Sequence, residues 1–443
     1  MEPDSARSRR DQRFRGFLSM AVARFLQISD LHLGRPFGWL APECRAERRA
    51  DQRRALEQAV REAIVRGAHA ILVPGDLFDV EGVDAATMAF AINVFGISGC
   101  PPVFIAPGNH DPWSEGSHLW SPRLLRARGW AWPGNVHVFT SPGWTLKRMP
   151  GLPAVRIWGR AFTSHAESRE RPLREGSIIL PDSADAMGIE VALFHGSRED
   201  QCPPWQSVTA PFSDRELANS PFGYHAVGHY HVASHMERKA AQKNVSTAGK
   251  GVSGAASAGV RMAYAGSPIA LDVTETGVHG ALEVRIEYGQ RQPLVEIEPI
   301  QLDERRVYEL QADVTGAASA EQVDARVQRA MEEAQVTERD IVTVRLVGRL
   351  VRGVRYAGPG PQVRLGTFHL RLDFKAVRPD YDLAGYRRPD PTTTEERFAS
   401  TLLARLSAEP DPGKRALLES ALYYGLDAFR LREIVPSYEE LSA

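Results

Sequence analysis

The sequence predicts an α/β protein in which two sheets form a sandwich flanked by helices, followed by a small α/β module and a helical tail. Two observations carry this prediction. Strand–helix units repeat along the first quarter of the chain, and each strand ends in polar residues, which is typical of an α/β sheet with a ligand site along that edge. Further on, short β-type runs separated by turn residues indicate a second sheet.

The strand–helix units begin at the short apolar run RFLQISD, residues 24–30, which predicts a buried strand that delivers a loop. Apolar residues at helical spacing predict a helix from Glu47 to Arg66, with Gly67 as its stop. AILVPGDLFD repeats the arrangement of strand and acidic loop. Asp84 is then expected to cap a helix that runs to about Ile97, and the strand PVFIAPGNHD follows.

The second sheet is predicted from the runs NVHVFT, AVRIWGR, IEVALFHG, YHAVGHYH and ALEVRIEY. Together with the first sheet they define a main domain at residues 24–300. Within it, residues 237–262 are rich in Gly, Ala and Ser and predict a flexible loop.

Three further regions flank the main domain. Residues 1–23 are polar and arginine-rich and predict a disordered N-terminal extension, in which Met20 is an alternative start. Residues 301–377 alternate β-type runs with one helix and predict a small α/β capping module. Residues 378–443 predict a proline-rich linker and two amphipathic helices, a region suited to binding a partner.

Composition narrows the class of protein but not its substrate. Lysine plus arginine (54) nearly balances aspartate plus glutamate (55), so the overall charge indicates no particular partner. Three widely spaced cysteines favour a reducing compartment over a disulfide framework. No apolar run is long enough to span a membrane, and no signal peptide is recognisable, so we expect a cytoplasmic protein with no membrane partner.

Metal chemistry is indicated by polar clusters at the predicted strand ends. The segment GYHAVGHYHVASHM, residues 223–236, contains an H-x-H pair whose imidazoles point to one side of an extended chain. Alone this pair is a weak signal, but four other clusters precede it. Asp, Asn and His without Cys suit Mn²⁺ or Fe²⁺, with Zn²⁺ as an alternative. The clustered residues are Asp30 and His32; Asp76 and Asp79; Asn109, His110 and Asp111; His195; and His229 and His231.

With these five clusters in order, the sequence resembles the calcineurin-like metallophosphoesterase superfamily over residues 24–290. The matching motifs are D-x-H, G-D-x-x-D, G-N-H-D, a single His and G-H-x-H. Within the superfamily it is most similar to the SbcD/Mre11-type DNA repair exonucleases, on SDLHLGRPF, GDLFD and YAGSPIALD at Tyr264 to Asp272.

The resemblance implies two divalent metal ions, most often Mn²⁺. One ion is implied to be held by Asp30, His32, Asp76 and His231. The other is implied to be held by Asp76, Asn109, His195 and His229, so that Asp76 bridges the pair. Two cations about 3.5 to 4 Å apart can share a hydroxide nucleophile and neutralise the charge that develops on a phosphate.

His110 stands beside a predicted ligand without being one, which suits a general acid that protonates the leaving oxygen. An aspartate can orient such a histidine and hold it protonated. Asp79 and Asp111 are both candidates for that role, and the spacing does not choose between them.

Three functions follow as hypotheses. The first is a metal-dependent DNA exonuclease or endonuclease of DNA repair, working with an SbcC/Rad50-like ATPase through the C-terminal tail. The second is a phosphodiesterase or phosphatase that acts on nucleotides or other small phosphoesters, which the same site would serve equally well. The third is a mainly structural subunit that holds DNA ends for an ATPase. A homodimer is common among the relatives that the resemblance indicates.

Overall fold

The computed structural model describes residues 21–178, 180, 188–201, 208–237, 257–289, 292–351, 354, 356–360, 366–388 and 390–432. The chain divides into two compact units, Met1–Glu304 and Arg305–Ala443. Residues 1–20 of the N-terminal extension predicted at 1–23, and most of the loop predicted at 237–262, lie outside the described residues. The prediction was wrong for residues 21–23, which begin a strand because their backbone joins a sheet.

The first unit contains a seven-stranded sheet in the order β10-β13-β12-β1-β2-β3-β4. Strands β1 to β4 are parallel to one another, whereas β12 and β13 pair antiparallel along the other side of β1. The strands of this sheet are β1 (Ala21–Gln27), β2 (Ala70–Val73), β3 (Val103–Ile105), β4 (Val136–Val138), β10 (Ser257–Ala258), β12 (Gly280–Tyr288) and β13 (Leu294–Gln301).

A six-stranded sheet forms the second layer, in the order β5-β6-β7-β8-β11-β9. Its central strands β6, β7, β8 and β11 are parallel, and an antiparallel strand lies at each edge. The strands are β5 (Thr145–Arg148), β6 (Val155–Gly159), β7 (Ile189–His195), β8 (Tyr224–Gly228), β9 (Ser234–Glu237) and β11 (Val260–Tyr264).

The core of this unit lies between the two sheets. Buried side chains such as Phe25, Leu72 and Phe104 from the first sheet pack with Val191 and Ala226 from the second. This packing confirms the predicted two-sheet sandwich. Burial of these side chains removes about 1.5 to 3 kcal/mol of unfavourable hydration apiece and holds the two layers together.

Helices cover the first sheet. Helix α1 (Pro42–Val65) packs on β1, β2 and helix α2 (Ala85–Phe95). Helix α1 begins five residues before the predicted Glu47, because Pro42 occupies its first turn, where a missing N–H costs nothing. Asp84 caps α2 as predicted, accepting the N–H of Thr87 at 2.7 Å. Two short helices, α3 (Pro122–Ala127) and α4 (Asp214–Asn219), lie in later connections.

The described part of the second unit contains a three-stranded parallel sheet, β14-β15-β16, and three α-helices. Valines and a methionine on one face of α5 pack on the sheet. The last two helices pack on each other through Leu402, Leu403, Leu422 and Leu426. The elements are β14 (Val307–Asp313), α5 (Ala320–Glu333), β15 (Ile341–Leu350), β16 (His369–Pro379), α6 (Thr394–Ala408) and α7 (Pro412–Leu431).

The small α/β module and the C-terminal helices are therefore both present, as the sequence predicts. Among the described residues, no helix combines the length and the apolar character that crossing a membrane would require.

Candidate metal centre

The predicted ligands meet where parallel strands of both sheets end. Asp30 follows β1, Asp76 follows β2 and Asn109 follows β3, while His195 is the last residue of β7 and His229 comes directly after β8. Because the carboxyl ends of parallel strands share one edge of a sheet, residues up to 199 positions apart in sequence become neighbours.

Four of these residues have left-handed backbone conformations. Asp30, His32 and Asp76 have φ values of 53°, 49° and 49°, and His229 has a φ of 114°. Such conformations cost a non-glycine residue about 1 to 3 kcal/mol and cluster at functional sites. Here they turn the side chains away from the strand direction and toward a common point.

Two overlapping groups consist of predicted ligands alone, and a third combines His32 with Asp79 and His110. The ligand atoms of Asp30, His32 and His231 lie within 4.8 Å of one another, and so do those of Asp30, Asp76 and His195. Asp76 Oδ2 lies 3.6 Å from His32 Nε2 and 3.3 Å from His195 Nε2, so one carboxylate oxygen faces both groups.

Asn109 and His229 lie beside the second group. Asn109 Oδ1 is 3.0 Å from His195 Nε2. The His229 ring is 5.1 Å from that of His195, and its backbone N–H donates to the Asp30 carboxylate at 3.1 Å. All seven predicted ligands are thus brought together, with Asp30 adjacent to both groups.

The environment of His32 fits a metal ligand. Its imidazole is fully buried, and neither ring nitrogen has a hydrogen-bond partner among the described residues. Leaving buried polar atoms unpaired costs about 1 to 3 kcal/mol each, which a coordinated cation would offset. Burial lowers the pKa of His32 well below its usual value, which keeps the ring in the neutral form that binds metals.

The environment of His195 also favours a cation. Its Nδ1 donates to the carbonyl of Pro74 at 3.0 Å, so Nε2 faces the oxygens of Asn109 and Asp76. Burial alone would lower the pKa of His195, but the Asp76 and Asp30 carboxylates raise it to about 9. A positive charge beside Nε2 is therefore favourable, whether a proton or a metal ion provides it.

Asp76 is held in its ionised form and in one orientation. Burial would raise its pKa, but His195 and His32 hold the pKa well below its usual range. Its Oδ1 accepts the backbone N–H of His110 at 2.9 Å. Gly108 makes room for this carboxylate, because a Cβ at that position would stand 2.2 Å from Asp76 Oδ1.

His110 lies at the open side of the centre. Its side chain is 45% exposed, and its ring packs edge-on against His32 at 4.6 Å. Asp79 Oδ1 lies 3.8 Å from His110 Nδ1, an ion-pair distance, and this carboxylate raises the pKa of His110. The other carboxylate oxygen of Asp79 is 3.9 Å from the guanidinium of Arg35.

Asp111 occupies a different place. It is fully buried and accepts the backbone N–H groups of Leu77, Phe78 and Gly108, at 2.9, 3.2 and 2.7 Å. It therefore joins the GDLFD loop to the GNHD loop. Of the two aspartates that the sequence left open as partners of His110, Asp79 is the one whose carboxylate lies beside it.

Three residues near the centre were missed by the sequence reasoning. Arg35 stands beside Asp79, and His165 Nδ1 lies 3.0 Å from the backbone carbonyl of Asn109. Glu275 accepts a hydrogen bond from His231 Nδ1 at 2.7 Å. No motif spacing indicates Glu275 or His165. Arg35 is part of the SDLHLGRPF run, and its positive charge could have indicated a role at the site.

A two-layer sandwich with buried carboxylates and imidazoles at its strand ends defines a class, the metal-dependent phosphoesterases. The family comparison is more particular. Residues 23–233 match the model of the family described as calcineurin-like phosphoesterase. Residues 23–233 therefore belong to the calcineurin-like metallophosphoesterase superfamily, as their motifs indicate.

No protein of curated function matches the chain. Among solved structures, TT1561 of Thermus thermophilus is similar at 15% identity and a TM-score of 0.27, over 49% of this chain and 85% of that one. A dimetal phosphatase from Danio rerio is similar at 13% identity and a TM-score of 0.29, over 62% of this chain and 98% of that one. The calcineurin-like phosphoesterase YfkN from Bacillus subtilis is similar at 11% identity and a TM-score of 0.32, over 71% of this chain and 98% of that one. No conclusion about this chain follows from similarities this low.

Proposed function

We propose that this protein is a two-metal phosphodiesterase that cleaves DNA, as an exonuclease or endonuclease in repair or end processing. The observation that carries the proposal is the pair of ligand groups that share Asp30, in which Asp76 Oδ2 faces an imidazole of each group. A partly exposed rim of His110, Asp79 and Arg35 lies beside them. Buried carboxylates suit cations, and a rim with cationic side chains suits an anionic substrate.

Seven side chains would hold two divalent ions. Asp30, His32, Asp76 and His231 would hold one, and Asp76, Asn109, His195 and His229 the other. When bound, the ions supply Lewis acidity that neutralises charge developing on the phosphoryl oxygens. The mixed oxygen and nitrogen donors favour Mn²⁺, with Fe²⁺ and Zn²⁺ as alternatives.

His110 is proposed as the general acid. Its raised pKa keeps more of it protonated near neutral pH, and its half-exposed ring can reach a leaving oxygen of the substrate. Asp79 supports this role as the neighbouring carboxylate that favours the charged imidazolium.

Arg35 supports a phosphodiester substrate. Its nearest carboxylate oxygen is 3.9 Å away, beyond hydrogen-bond range, so its planar fork of donors can bind a phosphate group without breaking that contact. The resemblance of SDLHLGRPF and YAGSPIALD to SbcD/Mre11-type exonucleases favours DNA as the source of that phosphate.

An SbcC/Rad50-like ATPase is proposed as a partner of the C-terminal helices. Helix α7 exposes Leu417 and Leu431 at 70% and 41%, which supports a docking role for its outer face. A cytoplasmic location and a homodimer remain parts of the same proposal.

Competition with DNA tests the substrate class. In Mn²⁺, the purified chain is expected to hydrolyse bis(p-nitrophenyl) phosphate, and duplex DNA should inhibit this turnover at about 10⁻⁴ to 10⁻⁶ M or tighter at physiological salt. Turnover that mononucleotides inhibit and DNA does not would favour a small phosphoester instead. If an Asp76→Asn variant without turnover restored repair in cells, the protein would be a structural subunit.

A further inference from the structure

The segment YAGSPIALD, Tyr264–Asp272, resembles one family branch but carries no ligand of the metal centre. It leaves the end of β11 and runs beside His231 before the chain reaches Glu275. Among its hydrogen bonds, those of Ser267 reach His231, one of the predicted metal ligands.

Glu275 binds the ring of His231. One carboxylate oxygen accepts from His231 Nδ1 at 2.7 Å, and the glutamate side chain is only 12% exposed. The other oxygen accepts the backbone N–H of Leu271 at 2.7 Å and lies 3.4 Å from the Ser267 hydroxyl. The segment that contains the motif therefore fixes one oxygen of Glu275, and the other binds His231.

The same segment binds the backbone of His231. The His231 carbonyl accepts the backbone N–H of Ser267 at 2.9 Å and its hydroxyl at 3.3 Å. Gly266 permits this approach, because it has a φ of +75° and a Cβ there would lie 2.7 Å from the same carbonyl oxygen. The carbonyl of Gly266 in turn accepts from Ser29, next to the predicted ligand Asp30.

We propose that Glu275 is a positioning residue for the metal centre, which it serves by holding His231 with Nδ1 protonated and the Nε2 lone pair available to a cation. A carboxylate on the far nitrogen fixes both the tautomer and the orientation of a ligating imidazole and raises its basicity. Leu271 and Ser267 in the segment 264–275 hold the carboxylate of Glu275 in place by hydrogen bonds. This inference rests on the proposed metal centre, but on no assumption about DNA.

Mn²⁺ binding by the full chain tests the proposal. Loss of such a carboxylate typically weakens a metal site about 10- to 100-fold. We expect Glu275→Leu, which keeps the shape but removes both acceptors, to show this loss at one of two sites. Glu275→Gln keeps a single acceptor for the two donors, His231 Nδ1–H and Leu271 N–H, so it should restore part of the affinity.

Electron paramagnetic resonance supplies the second readout. At a Mn²⁺ concentration that fills both wild-type sites, Glu275→Leu should replace the spectrum of a coupled pair by that of isolated Mn²⁺. The matched control is Glu190→Gln, a carboxylate of similar burial bound to Arg156 and Trp158 at the opposite end of β7 from His195. It should retain both ions at wild-type affinity.

Three results would overturn the inference in distinguishable ways. If the wild type binds two Mn²⁺ ions and Glu275→Leu binds both with unchanged affinity, Glu275 does not position a ligand. If the wild type binds no Mn²⁺, the metal centre itself is wrong, and the inference falls with it. If the Glu190→Gln control loses metal to the same extent, the effect of Glu275 is general destabilisation.

Discussion

Asp76 and His110 are neighbours in the structure, yet they are assigned different tasks. Asp76 is buried between two imidazoles and accepts the backbone N–H of His110, whereas the His110 side chain faces outward. Removing each side chain should therefore produce a different defect, one in metal binding and one in turnover.

We predict that Asp76→Asn loses bound metal and that His110→Gln retains both ions while turnover falls about 10²- to 10⁴-fold, the usual contribution of a general acid. An amide carries no charge to attract two cations, but Gln at position 110 leaves the ligands in place. Elemental analysis of the two purified variants gives the metal content. Equal loss of metal in both would show that His110 is a ligand.

Asp79 should control the pH dependence of His110. Its carboxylate raises the pKa of His110, so Asp79→Asn should lower that pKa. A general acid works only while protonated, and activity is lost as pH rises through its pKa. The alkaline limb of the kcat profile should therefore move to lower pH in Asp79→Asn.

The choice of substrate provides the control for this shift. The shift of the alkaline limb is expected with a dinucleotide, whose leaving oxygen needs a proton. It should be absent with bis(p-nitrophenyl) phosphate, whose leaving group departs without one. The same shift with both substrates would place the effect of Asp79 on the ligands and not on proton transfer.

At the residue scale, the sequence predicts which residues could bind metal. It does not predict which residues form hydrogen bonds to those ligands. Motifs spaced along the chain identify Asp30, His32 and Asp76, because each stands in a short local pattern. The contact of Glu275 with His231 spans 44 residues and depends on how two loops meet, so no local pattern predicts it. Nor could spacing decide between Asp79 and Asp111.

At the element scale, hydrogen bonds to Asp111 hold the loops after β2 and β3 together. Asp111 accepts three backbone N–H groups, two from the GDLFD loop and one from GNHD. Without it those donors would be buried and unpaired. The position of Asp76 relative to Asn109 therefore depends on Asp111, a residue outside the set of predicted ligands.

We predict that Asp111→Ala lowers the free energy of unfolding by at least about 3 kcal/mol, since each unpaired buried donor costs about 1 to 3 kcal/mol. Denaturant unfolding measures this. The control is Asp84→Ala, which removes a helix cap with one backbone N–H at an exposed site and should cost about 1 kcal/mol. Similar losses in the two variants would contradict the joining role.

The sequence predicted the type of most elements, because their hydrophobic periods are clear and their caps are local. Asp84 caps the helix that it was expected to begin. The pairing of distant strands within a sheet was harder to predict from the sequence. The hairpin of β12 and β13 completes the first sheet beside β1, more than 250 residues earlier in the chain, and only long-range packing decides that partnership.

At the scale of the whole molecule, all seven predicted ligands and their supporting residues lie in the first compact unit. Its core between the two sheets is formed by its own side chains. The second unit has its own core, formed by α5 on a three-stranded sheet. Metal binding and activity on small diesters should therefore belong to the first unit alone.

We predict that a chain ending at Glu304 folds, binds two Mn²⁺ ions and hydrolyses bis(p-nitrophenyl) phosphate as the full chain does. Circular dichroism and metal analysis establish that the shortened chain is folded and loaded. A folded, loaded protein without turnover would show that the second unit contributes to the reaction.

The measurement that tests the central claim most directly is degradation of end-labelled duplex and single-stranded DNA by the full chain in Mn²⁺, beside its Asp76→Asn variant. The account predicts that the wild type shortens labelled DNA and that the variant does not. Intact DNA with the wild type, under conditions in which it hydrolyses bis(p-nitrophenyl) phosphate, would contradict the assignment of DNA as the substrate.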